Sequence, residues 1–154
     1  MAPDHMPPPT PQELVAQMKE SAKAILAACE ALTPEKAREP GVCGVWSAKA
    51  VVDHITGWQV QSLPILKKLR ASDNDAFDLD IEGFNRMSVK SREELTWEES
   101  LEAFRESYSA FDQAAVDISL AHFQGNEGFK SWVKAMIHEY KFHLPQIELA
   151  LRRK

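Results

Sequence analysis

Cysteine is scarce in this chain, and long apolar runs and basic blocks are missing. Its two cysteines, Cys29 in an apolar helical stripe and Cys43 in a Gly-flanked loop, make neither a CxxC pair nor a disulfide framework. A reducing cytoplasm suits them best. No apolar stretch approaches the roughly 20 residues that span a bilayer, so a membrane protein is not expected. The net charge of -5 is spread along the chain without a basic cluster. That argues against a phosphate-binding surface, and nucleic acid is not an expected partner. The period-two alternation of strands appears nowhere, and no segment repeats. The opening MAPDHMPPPT has neither a basic start nor an apolar block after it, so it does not read as a secretory signal. Its consecutive prolines predict an extended, disordered leader over residues 1–9, and His5 belongs to that leader.

What is present is helical. At 154 residues the chain can bury one good core, and a single domain over residues 10–154 is the expectation. Thr10-Pro11-Gln12-Glu13 combines a capping residue, a proline at the first helical position and a glutamate placed for a capping box. Leu14, Met18, Ile25, Cys29 and Leu32 then recur at helical spacing, predicting six turns that end near Thr33-Pro34. After the Gly- and Pro-punctuated EPGVCGVWS, Ser47 can cap a second helix carrying Val51, Val52, Ile55, Leu66 and Leu69, with Pro64 expected to kink it or end its regular part. An acidic connection, ASDNDAFDLD, leads to a shorter helix, IEGFNRMSVKSREEL, with Ile81, Asn85, Val89 and Arg92 on one line. Thr96 caps the clearest helix, where Trp97, Leu101, Phe104, Tyr108, Phe111, Ala115 and Ile118 share a narrow stripe. A loop containing GNEG precedes the last helix, expected from about Phe129. Four principal helices with modest links are the sequence form of a helix bundle.

The last helix contains HEYKFHLPQIELALRR, and its polar residues are misplaced. At about 100° per residue, Trp132, Met136, Glu139, Tyr140, His143 and Ile147 project to one side, whereas Lys134, His138, Lys141, Glu148 and Arg152 project to the other. Glu139 and His143 therefore sit inside the apolar face as i,i+4 neighbours, and His138 is expected to be a solvated surface residue. Burying a carboxylate costs several kcal/mol unless a cation, a proton or several donors compensate it. Three solutions are open: a Glu-His hydrogen bond, an ion pair with an arginine such as Arg92, or a divalent metal, for which carboxylate and neutral imidazole are suitable ligands. Two ligands on one helix do not define a site. His54, in VVDHITGW, flanks the apolar face of the second helix and is the candidate third ligand, because bundles build metal centres from side chains of facing helices. A lone histidine there is more often a packing residue. His122, in SLAHFQG, has no ligand-spaced partner and reads as structural or surface.

These segments carry a resemblance. PGVCGVWSAKAVVDHITGW resembles the entry to the second helix of the DinB-like four-helix-bundle superfamily, with its W-S cap and a histidine followed one turn later by an aromatic. EYKFHLPQIE resembles that superfamily's last helix, in which a metal ligand is followed four residues later by histidine and then by a Q-I pair. FNRMSVKSREELTWEESLEAFRESYSAF looks like the third helical region of members related to the DfsB group and to the N-terminal domain of mycothiol-dependent maleylpyruvate isomerase. The resemblance covers nearly the whole chain after the leader. It implies an all-α, up-down four-helix bundle of the DinB-like type with an additional short helix. It also implies a metal triad of His54, Glu139 and His143. Many members have three histidines; glutamate at the second position is similar to the isomerase branch.

Zinc or nickel would suit these ligands, and the resemblance to thiol-dependent members implies a low-molecular-weight thiol as a co-substrate. The expected function is thiol S-transfer or isomerisation, or hydrolysis, on a small electrophilic molecule. Trp46 and Trp58 would wall a cleft, Asn85 and Arg92 would give it a polar stripe, and Arg92 could hold a substrate carboxylate bidentately. Tyr140 is a positional candidate for substrate binding, and no catalytic base is identified. The alternatives are a metal-independent small-molecule protector of the DfsB type, or a structural bundle in which Glu139 and His143 satisfy each other. A homodimer is compatible with a bundle of this size.

Overall fold

The computed structural model describes residues 7–71, 80–121 and 127–154. His5 and the start of the expected leader, the acidic connection over 72–79, and His122 with the first part of the GNEG loop lie outside the described residues. Among the described residues six helices follow in chain order: α1 (Pro11–Glu30), α2 (Pro34–Arg38), α3 (Ala48–Ala71), α4 (Ile81–Lys90), α5 (Trp97–Ala121) and α6 (Glu127–Arg152). Among the described residues there is no strand, only an isolated bridge between Cys43 and Trp46. No helix among them is long and apolar enough to cross a membrane.

The four long helices form the bundle, each packed against two others in the cyclic order α1, α5, α3, α6. The expected stripes are its core: Leu14, Met18, Ile25 and Cys29 of α1 and Trp97, Leu101, Phe104, Phe111, Ala115 and Ile118 of α5 are all buried. Each fully buried Leu, Ile or Phe side chain contributes roughly 1.5–3 kcal/mol relative to an exposed one, so burial of these stripes favours the association of the helices. Local signals set their ends. Thr10 Oγ1 accepts the Glu13 N–H at 3.1 Å, and the Thr10 hydroxyl donates to Glu13 Oε1 at 3.2 Å. At α5 the capping box is reciprocal: Thr96 Oγ1 accepts the Glu99 N–H at 3.1 Å, and Glu99 Oε1 accepts the Thr96 N–H at 2.8 Å.

Three elements differ from expectation. The first helix ends at Glu30 rather than near Thr33, because Thr33-Pro34 starts a helix instead of ending one. Thr33 Oγ1 accepts the Lys36 N–H at 3.2 Å, and α2 buries Ala37. Pro64 lies inside α3, which does not end there but runs on to Ala71. The helix expected over IEGFNRMSVKSREEL stops at Lys90, so Arg92 falls in the turn between α4 and α5 and leaves the line of Ile81, Asn85 and Val89.

Two features place the elements that matter for the site. The loop before α3 closes on itself where Trp46 N–H donates to the Cys43 carbonyl at 2.9 Å, with Gly44 at φ 57° in the left-handed region that the turn requires. Arg153 donates to the carbonyls of Pro40 and Gly41 and ties the same loop to the chain end. On α3, a Cβ at Gly57 would collide with the side chain of Ser88, so glycine lets α4 seat closely against α3.

Candidate metal centre

His54 comes from α3, and Glu139 and His143 come from adjacent turns of α6, which packs beside α3. His143 Nε2 lies 3.1 Å and His54 Nε2 3.6 Å from Glu139 Oε2. The three ligand atoms lie within 4.8 Å of one another. Ligand atoms around a zinc ion at about 2.0–2.1 Å sit roughly 3.3 Å apart in a tetrahedron, and the two carboxylate–imidazole separations lie on either side of that value. Both imidazoles are buried, and the Glu139 side chain keeps 27% of its exposure, which leaves one open side.

Burial pushes the Glu139 carboxyl up, but the hydrogen bonds and charges of His143 and His54 outweigh it and hold the carboxyl down at about 2. The group is therefore anionic. His143 Nδ1 faces the Gln146 carboxamide oxygen, an acceptor, which assigns the ring proton to Nδ1. In the neutral ring the Nε2 lone pair then points at the carboxylate, an arrangement that needs a proton or a metal ion between them. His54 Nδ1 is buried with no hydrogen-bond partner. Two imidazole nitrogens and one carboxylate oxygen are a donor set for zinc or nickel, and the cluster can hold a metal ion.

The other expected site residues separate. Trp46 packs on His54, with ring centroids 5.2 Å apart. Trp58 lines a cleft of about 270 Å³ together with Ile81, Trp132, Ala135, Met136, His138 and Glu139. Asn85 is not a cleft-lining residue; it stands behind the wall, where its Oδ1 accepts the Trp58 indole N–H at 2.6 Å. Arg92 does not reach Glu139. Its guanidinium donates to the Ser88 carbonyl at 3.0 Å, its own carbonyl accepts from Lys49 Nζ at 2.9 Å, and its charge acts on Asp53. Tyr140 is fully buried and donates its hydroxyl to Gln59 Oε1 at 2.8 Å, so it belongs to the core rather than to the cleft. His138 is exposed as expected, stacked on Phe142 with centroids 5.8 Å apart, yet it also forms part of the cleft lip.

Two residues beside the triad had no individual role in the sequence: Trp132, which was placed only on the apolar face of the last helix, and Gln146. The signal for Trp132 was present, since it lies two turns before Glu139 on the same helix face. Gln146, one turn after His143, is placed to orient a ligating imidazole.

No curated protein and no solved structure matches the chain. The family model of the DinB superfamily matches residues 17–147, a span that contains His54, Glu139 and His143. With its helical bundle and its candidate triad, the chain belongs to the DinB superfamily.

Proposed function

We propose that this protein is a divalent-metal-dependent enzyme that acts on a small electrophilic molecule, by thiol S-transfer or by hydrolysis, at the cleft beside Glu139. The observation that carries the reading is the convergence of His54 Nε2, Glu139 Oε2 and His143 Nε2 with no lysine or arginine among the described residues paired to the carboxylate. Zinc or nickel held there would supply Lewis acidity, lowering the pKa of a water or thiol and polarising a carbonyl. The chain's own residues divide the remaining work. Glu139 contributes the negative charge, Gln146 orients His143, Trp46 shields His54 from solvent, and Trp58 and Trp132 wall the space beside Glu139.

A second reading is a metal-independent small-molecule binder, and one distance favours it. At 3.1 Å a protonated His143 would bond Glu139 directly, and a proton would then stand where the first reading puts a metal. Elemental analysis of purified protein, combined with a screen of thiols and electrophiles, separates the two. Stoichiometric metal that is lost in Glu139→Ala supports the enzyme; protein that takes up no zinc, nickel, cobalt or manganese removes it. Ligand binding retained in a metal-free variant lacking all three side chains supports the binder.

A further inference from the structure

The cleft beside Glu139 says more about what enters it than the ligand triad does. Its walls are Trp58, Ile81, Trp132, Ala135 and Met136, and the polar groups among its lining residues are those of His138 and Glu139; among the described residues no lysine or arginine lines it. Tryptophan walls usually offer an indole N–H to a ligand, but both of these are turned away. Trp58 donates to Asn85 Oδ1, and Trp132 donates at 2.8 Å to Ser62 Oγ, whose own hydroxyl is spent on the Trp58 carbonyl at 2.7 Å. The two rings are held 6.0 Å apart between centroids and tilted by 57°, and Phe84 backs Trp58 at 4.4 Å. The walls therefore present ring surface without hydrogen-bond donors.

The volume, about 270 Å³, is near the lower end of small-molecule pockets, roughly 300–1,000 Å³. An anionic compound would lose hydration on entering and meet the Glu139 carboxylate, with no cationic side chain among the described lining residues to replace its water. A flat apolar body would lose little and gain contact with two aromatic surfaces.

We infer that the cleft takes small, planar, apolar compounds without an anionic group, seated against Trp58 and Trp132 with their polar atom toward Glu139. The inference rests on the proposed site and names its substrate class. Asn85 and Ser62 are positioning residues: they fix the indoles and keep the walls free of donors.

Isothermal titration of metal-free protein with 1-naphthol and with 1-naphthoate tests it, with zinc uptake measured separately on the same preparations. Binding of 1-naphthol at least tenfold tighter than that of 1-naphthoate is expected. Trp132→Ala should weaken 1-naphthol at least tenfold while zinc uptake is unchanged. Ala135 lines the cleft from an exposed position, so Ala135→Trp should block it without burdening the core and provides the reading if Trp132→Ala does not fold. No binding of 1-naphthol, equal binding of the naphthoate, or binding indifferent to both substitutions would overturn the inference. Zinc uptake without naphthol binding would sink the substrate class alone; naphthol binding without zinc uptake would sink the metal reading alone.

Discussion

Glu139 and Tyr140 are consecutive residues of α6, both placed on its apolar face, and they end in opposite kinds of surroundings. Around Tyr140 the hydrogen bonding closes: its hydroxyl donates to Gln59 Oε1, Gln59 Nε2 donates to Ser107 Oγ and the Phe104 carbonyl, and Ser107 donates to that same carbonyl. Around Glu139 it closes only when a proton or a metal ion lies between the carboxylate and the imidazoles. An anionic carboxylate faces two imidazole nitrogens, and the far nitrogen of His54 is buried without a partner. A completed polar network stabilises a core and leaves nothing for a ligand to do, whereas an incomplete one is short of a cation and can recruit one. Burial of polar groups was common to both; completeness distinguishes them.

The comparison breaks most visibly in metal affinity. His143→Ala should weaken zinc or nickel binding by on the order of 100-fold or more, and Tyr140→Phe should leave it unchanged, as read by competition with a chromogenic chelator. Gln146→Ala keeps all three ligands but frees the His143 ring, and a loss of roughly 10–100-fold in the same titration is expected. Stability should run the other way. Tyr140→Phe leaves Gln59 Oε1 buried without its donor and should cost about 1–3 kcal/mol in urea unfolding. Replacing His54, Glu139 and His143 together by leucine or methionine should leave the metal-free protein as stable as before or more stable. A triple variant that is strongly destabilised would mean that the cluster is structural after all.

The smallest effect is in the pH dependence of the metal-free protein, and the two neighbours give it opposite signs. The folded Glu139 carboxyl, at about 2, lies below its ordinary 4.5, so its contribution is complete above about pH 4.5 and is lost as pH falls toward 2. Burial and the charges of Tyr108 and Asp112 raise the Tyr140 phenol well above 10, so its contribution is present below pH 10 and is lost as pH rises beyond it. Urea midpoints measured across both limbs should show a flatter acid limb in Glu139→Gln and a flatter alkaline limb in Tyr140→Phe. No change in either limb would mean that these groups are not perturbed by the fold.

Much of this was legible before any coordinates. Thr10-Pro11 and Thr96 announced helix starts because capping is local chemistry, and the stripe from Trp97 to Ile118 announced a core because 3.6-residue periodicity is a property of one segment. The same local logic separated Glu139 from His138, one residue apart. It failed where the outcome depended on a neighbour. Thr33-Pro34 reads equally as an end or a beginning, and packing of Ala37 under the bundle decided for a beginning. Arg92 aligned with Asn85 only on an unbroken helix, and the turn after Lys90 turned it toward Lys49 and Asp53.

By itself the sequence determined the helical class, the caps, the apolar stripes and the pairing of Glu139 with His143, since each depends on residues within a few turns of one another. Tertiary structure decided that His54 meets that pair across the bundle, that Tyr140 is claimed by Gln59, and that Asn85 accepts the Trp58 indole N–H. Those outcomes depend on which helix lies opposite and at what height, and a side chain's own periodicity carries no record of either.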